Sequence, residues 1–185
     1  MVNFYTYLEL YTNDLDKKVN LGDFERHFNT PHQTVKKRLL PLVREKILIE
    51  EKKKRLLFYC LNKNNPLFIE YLSICEKERL FRLLENPLFK RLYDTVSDFF
   101  TDSRILVFGS AAVSKDFNDI DILIFSENGQ INKELDKFGK TYSVKLHIIN
   151  TKEELVTKSM LKEIRDKHII FNDHEYFIRL MHDVN

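Results

Sequence analysis

The sequence predicts an α+β protein made of two unlike segments joined by a helical connector. Three observations carry this. Residues 1–64 give three helical patterns, then two apolar runs on either side of a basic tip, Lys52-Lys53-Lys54-Arg55. Residues 65–87 hold a long helical pattern with no glycine- or serine-rich stretch, so they read as a stiff connector and not as a flexible linker. Residues 88–185 contain two short apolar runs, 105–108 and 119–125, with the length and β-branched composition of buried strands.

In the first segment a helix is expected over residues 2–11 and a second over 21–28. Thr30 and Pro31 then supply an N-cap and a first-turn proline for a third helix. Its buried stripe is Val35, Leu39, Leu42 and Val43, which leaves His32, Gln33, Lys36 and Lys37 on the other side. Pro41 has no amide hydrogen and should interrupt or bend the last turn. Residues 47–51 and 56–61 read as two strands, with Lys52, Lys53, Lys54 and Arg55 as the charged hairpin between them. Tyr5, Tyr7 and Tyr11 recur at helical spacing, which fits core or dimer packing better than base stacking.

In the connector, Pro66 opens a pattern carrying Phe68, Tyr71, Leu72, Cys75, Leu80, Leu83 and Leu84, closed by Asn86-Pro87. A further helix over 88–100 brings Leu92, Val96, Phe99 and Phe100 to the first strand. Apolar residues beyond a single stripe also suit a dimer interface, so a homodimer is an open expectation.

The chemically specific stretch is 104–125. Gly109 follows the first strand and permits a sharp turn close to a ligand. Ser110 is placed to cap a helix starting at Ala111, whose unpaired amides would favour phosphate oxygens. Asp119 and Asp121 lie two apart on the second strand and share a face, while Ile120 and Ile122 point the other way. Two hard carboxylates suit Mg2+ held jointly with substrate phosphates. Either half alone is a common turn or loop; together they describe a site for a magnesium–nucleoside triphosphate complex.

These residues resemble the nucleotidyltransferase superfamily of DNA polymerase β, in particular its minimal members. The signature there is an apolar strand, Gly-Ser, a stretch of helix and loop, and Asp-x-Asp opening the next strand; the matching residues are Gly109, Ser110, Asp119 and Asp121. The resemblance covers residues 88–184. It implies a mixed β-sheet flanked by helices, nucleotide contacts at Gly109 and Ser110, and Asp119 and Asp121 as catalytic metal ligands. Ala112-Val113 stand where many members have Arg-Gly, and Asn118 where they have Ser. The family's third carboxylate belongs to a later strand, here residues 142–149, which hold no Asp or Glu. Lys145 and His147 share one face there, and a lysine ammonium repels magnesium. Binding of phosphate or metal is therefore implied more strongly than turnover.

The tail fits the same pattern. Thr151 and Glu154 form a capping-box sequence, and 161–165 continue a helix. A short strand is expected over 168–171, a turn at Asn172-Asp173, and a closing helix over 175–182 with Tyr176, Phe177 and Leu180 inward.

Residues 34–49 and the hairpin after them resemble a winged helix-turn-helix domain spanning 1–64. In such domains the third helix enters the major groove and the wing touches the backbone. The resemblance makes Gln33, Lys36, Lys37, Lys52, Lys53, Lys54 and Arg55 candidate contacts to double-stranded DNA. Charge agrees: residues 1–64 hold 13 Lys and Arg against 8 Asp and Glu, a net of +5, and the remainder holds 17 against 20, a net of −3.

A hydrophobic content of 43% supports real cores. No stretch approaches the roughly 20 apolar residues of a membrane span, and no signal peptide precedes the folded pattern, so a cytoplasmic place is expected. Cys60 and Cys75 suit neither zinc nor a disulfide scaffold and read as buried thiols. Three functional readings follow: a magnesium-dependent nucleotidyltransferase coupled to DNA, a transcriptional regulator whose second domain binds a nucleotide without turning it over, and an interaction protein of toxin–antitoxin type.

Overall fold

A computed structural model of the chain describes residues 3–183. The fold is α+β with two separate sheets, and its two compact units part between Glu76 and Lys77, inside the third α-helix.

The first unit opens with a 3₁₀ helix, Phe4–Tyr11, in place of the expected α-helix. Tyr7, Leu8, Leu10 and Tyr11 are all buried, a set too wide for one α-helical stripe, and Thr6 and Thr12 close three-residue turns onto Asn3 and Glu9. Val2, the expected start, lies outside the described residues. Strand β1 (Lys18–Asn20) was not anticipated from the sequence; it pairs antiparallel with β3 (Leu56–Leu61), which also pairs with β2 (Leu48–Lys53). Helix α1 (Leu21–Phe28) forms as expected, its first turn fixed by a reciprocal Asn20–Asp23 capping box.

Helix α2 (His32–Arg44) departs from expectation at both ends. Thr30 does not cap it, because its hydroxyl donates to the Phe28 carbonyl at 2.9 Å, and Pro31 occupies the cap position. Pro41 does not interrupt it: the helix runs on to Arg44, and the Glu45 amide donates to the Pro41 carbonyl at 2.9 Å. Proline removes the bond to the Lys37 carbonyl and crowds it, but Lys37 lies on the exposed side of the helix, where water can satisfy that carbonyl. Val35, Leu39 and Leu42 pack inward with Val19, Phe24, Ile47 and Tyr59. The buried Tyr11 hydroxyl donates to the Tyr59 carbonyl at 2.8 Å, and burial pushes its pKa far above the ordinary tyrosine value.

In the second unit, α4 (Pro87–Ser97) is capped by Asn86 and leads to β4 (Arg104–Phe108). Then come β5 (Asp119–Phe125), α5 (Gln130–Tyr142), β6 (Lys145–Asn150), α6 (Lys158–Asp166), β7 (His168–Ile170) and α7 (His174–His182). Helix α3 spans Phe68–Leu83. The sheet order is β6-β5-β4-β7; β5 and β6 run parallel, the other pairs antiparallel. One face carries Ile105, Val107, Ile120, Ile122 and Ile124 against Phe89, Leu92 and Val96 of α4 and Ile131, Leu135 and Phe138 of α5. Each such side chain contributes on the order of 1.5–3 kcal/mol when fully buried. The opposite face carries Phe125 against Phe177, ring centroids 5.9 Å apart.

Three tail expectations are corrected. Tyr142 ends α5 instead of opening a strand. Thr151 caps nothing: Glu153–Leu155 is a single 3₁₀ turn preceded by Lys152, and Thr157 caps α6 by accepting from the Met160 amide at 3.2 Å. Helix α7 starts at His174, and its buried side is His174, Phe177, Ile178 and Met181, with Tyr176 and Leu180 only half-buried.

Candidate metal centre

Alternation along β5 puts Asp119 and Asp121 on one face at its first turn of pleat, both about a quarter exposed, while Ile120 and Ile122 are buried on the other. Parallel pairing sets Lys145 beside Asp119 and His147 beside Asp121. His147 Nδ1 lies 3.2 Å from Asp121 Oδ1 and 3.5 Å from Asp119 Oδ2, so one ring nitrogen faces both carboxylates. Lys145 Nζ stands further off, 3.9 Å from Asp119 Oδ2, on a side chain that is 67% exposed. Asp119, Asp121 and His147 each offer a ligand atom, all within 4.8 Å of one another, and they are the one such group of three among the described residues. Two carboxylates and an imidazole are a donor set that fits a divalent cation.

Gly109 closes the site from β4. Its backbone, φ 73° and ψ −153°, is in a region open essentially to glycine. A Cβ there would stand 2.3 Å from Asp121 Oδ2, so the bare glycine is what lets that carboxylate lie against the main chain. The expected helix from Ala111 is not formed. Ser110–Ala112 is one 3₁₀ turn with Gly109 at its cap position, because the Ala112 amide bonds back to Gly109 and the Val113 and Ser114 amides to Ser110. The helix expected to follow Gly109 is therefore reduced to a single three-residue turn. The Gly109 amide itself donates to the Lys167 carbonyl at 3.0 Å, and Ser110 is exposed beside it.

His147 is the member of this group that the sequence did not assign as a ligand. Two-residue spacing already set it on a face with Lys145; what the sequence lacked was the β5–β6 register that turns this face toward the aspartates. The other end of the same sheet holds an open cavity of about 780 Å³ lined by Arg104, Phe125, Asn150, Glu153 and Tyr176. There Arg104 pairs with Asp173 at 2.6 Å and lies over the Tyr176 ring, 4.1 Å from its centroid.

In the first unit, Gln33, Lys36 and Lys37 are exposed on α2, opposite its buried stripe. Lys53 pairs with Leu56 across the hairpin, so Lys54 and Arg55 form a two-residue turn, with Lys54 at φ 55°. Lys52 and Lys53 are adjacent on β2 and project to opposite faces of the hairpin. Cys60 is only half-buried, not fully buried as expected; burial and the neighbouring Glu51 push its thiol pKa up. Cys75 is buried. No known protein family, curated protein or solved structure matches the chain.

Proposed function

We propose that the second unit is a nucleotidyltransferase-type domain that binds a nucleoside triphosphate through a divalent cation, and that the first unit is a winged helix that binds duplex DNA. The observation that carries the first part is the pair of carboxylates on one face of β5, with Asp121 lying against the Gly109 backbone. Asp119, Asp121 and His147 would hold the cation, which when bound neutralises phosphate charge and orients the triphosphate. Lys145 Nζ, 3.9 Å from Asp119 Oδ2 on an exposed side chain, and the exposed Ser110 that follows Gly109 would supply phosphate contacts in this reading. Calorimetry with each triphosphate and a divalent cation tests this: binding should be seen in the wild type and lost in Asp119→Ala plus Asp121→Ala. No binding by a folded wild type overturns it.

For the first unit, three helical segments, a three-stranded sheet and a basic two-residue hairpin support the winged-helix reading, with α2 as the candidate groove helix. A mobility shift on genomic fragments at low salt tests it.

Of the readings of the whole chain, two turn on this metal centre: an enzyme that transfers a nucleotidyl group and a regulator that binds the nucleotide without turnover, the interaction-protein reading standing beside them. The residues favour the second, since a histidine and a lysine stand on β6 where a third carboxylate would be needed to hold a second ion. Radiolabel transfer from a triphosphate to protein, RNA or a small acceptor, dependent on both aspartates, would establish the first instead.

A further inference from the structure

We infer that Asp119, Asp121 and His147 form a three-ligand site for a first-row divalent transition cation, of the class of Mn2+, Co2+ and Zn2+, and that His147 is the ligand that turns the site away from Mg2+. The inference deepens the proposed metal–nucleotide site by naming its ion, yet its test needs no nucleotide.

Geometry supports it first. With metal–ligand bonds near 2.1 Å, two ligands of one ion stand about 3.0 Å apart at right angles and about 3.4 Å apart in a tetrahedron. The observed separations of 3.2 Å and 3.5 Å from one ring nitrogen to an oxygen of each aspartate lie close to this range. All three ligand atoms lie within 4.8 Å of one another. Asp121 is held against the Gly109 backbone, where any side chain would displace it, and the three residues stand on adjacent hydrogen-bonded strands. Lys145 contacts Asp119 from the solvent side at 3.9 Å and can swing clear.

Chemistry supports it second. Mg2+ takes oxygen ligands and keeps its waters, whereas a neutral imidazole suits borderline transition ions. Three protein ligands leave coordination positions for water or a phosphate oxygen, the mark of an open site. The rival account of the same distances is an imidazolium ion pair with no metal in it.

The experiment uses the full chain stripped with a chelator. Co2+ is titrated and followed by its visible absorption, then displaced by Zn2+, Mn2+ and Mg2+. Any mixed oxygen–nitrogen site prefers transition ions to some degree, so the decisive quantity is the change in preference on substitution. One Co2+ per chain is expected, with His147→Ala weakening Co2+ and Zn2+ at least tenfold and Mg2+ little. His147→Asp should keep a cation site and move the Zn2+ to Mg2+ preference at least tenfold toward Mg2+. The ring is about half exposed, so both variants should fold; should either fail, electron spin-echo modulation of bound Mn2+ in the wild type reads the imidazole nitrogen directly. Unchanged metal affinity in the His147 variants, or no nitrogen coupling, overturns the ligand assignment; no cation binding at all leaves the ion pair. Co2+ bound through His147 without any triphosphate binding would keep this inference and sink the nucleotide reading, and the converse would do the reverse.

Discussion

Replacing Gly109 by alanine isolates the contact that positions Asp121 in the proposed metal centre. The backbone at φ 73° and ψ −153° is unfavourable for any residue with a Cβ, at roughly 1–3 kcal/mol. The new methyl would also sit 2.3 Å from Asp121 Oδ2, about 1 Å short of van der Waals contact, so the carboxylate has to move. Rotating it breaks the 3.2 Å approach of its other oxygen to His147 and takes one of three ligands out of the group. At ~4 °C per kcal/mol for a unit of this size, melting should fall by roughly 4–12 °C without metal. Cation affinity should fall at least tenfold, which is about 1.4 kcal/mol. The assay is thermal melting by circular dichroism in chelator, followed by Co2+ titration of the folded protein below the transition. Gly129→Ala is the control: nothing lies within 4 Å of a Cβ there and φ is −66°, so melting and metal binding should stay at or slightly above wild type. A Gly109→Ala protein that melts with the wild type and binds Co2+ equally well would refute the role given to this glycine.

Asn172 clamps the second unit: it accepts from the Ile105 amide at 2.8 Å and donates to the Phe100 and Ser103 carbonyls at 3.3 and 2.7 Å. Asn172→Ala should cost about 2–4 kcal/mol in denaturant unfolding, and Asn172→Asp, which loses the donor, most of that. Tyr11→Phe leaves the Tyr59 carbonyl without its buried partner and should cost about 1–3 kcal/mol. The raised Tyr11 pKa has a definite sign: stability from the protonated hydroxyl is complete below the unfolded-state pKa and is lost as pH rises toward the folded value, so this residue should contribute no pH dependence between neutrality and about pH 9. In the proposed DNA reading, Lys52, Lys53, Lys54 and Arg55 changed to alanine should flatten the salt slope by about 2–3, less than four full contacts because Lys52 and Lys53 face opposite ways, while Gln33 or Lys36 changes should alter sequence preference.

Strand β5 was legible to the residue because its alternation of Asp and Ile reports burial directly. Strand β1 was not. It has three residues and one fully buried side chain, Val19, and owes its existence to pairing with β3 nearly forty residues later. Helix α5 carries a readable stripe, Ile131, Leu135 and Phe138, diluted by lysines and acids around it. Capping residues misled where a hydroxyl had two uses: Thr30 bonds backward to Phe28, and Thr151 lies beside a lone 3₁₀ turn while Thr157 does the capping. Both aspartates of the metal centre could be placed on one face from spacing alone. The role of His147 could not, because it arises from register between strands, and spacing within one strand carries no information about register.

The charges around the candidate metal centre bear on how many ions it would take in the proposed reading. Asp119 and Asp121 bring two negative charges, a metal-bound imidazole brings none, and Lys145 stands 3.9 Å from Asp119 with a positive one. A single divalent cation therefore balances the carboxylates, and a second would meet a centre that is already net positive. Reversing the lysine tests this balance without touching a ligand. In Lys145→Glu the new carboxylate lies across from Asp119 in the β5–β6 ladder, where it can share a second ion with that residue. Cation stoichiometry from calorimetry should rise from one toward two per chain, and Mg2+ affinity should rise at least tenfold because the added donor is an oxygen. Lys145→Ala should strengthen the first ion and leave the count at one. A Lys145→Glu protein that still takes a single ion with unchanged Mg2+ affinity would show that charge balance at this face does not set the count.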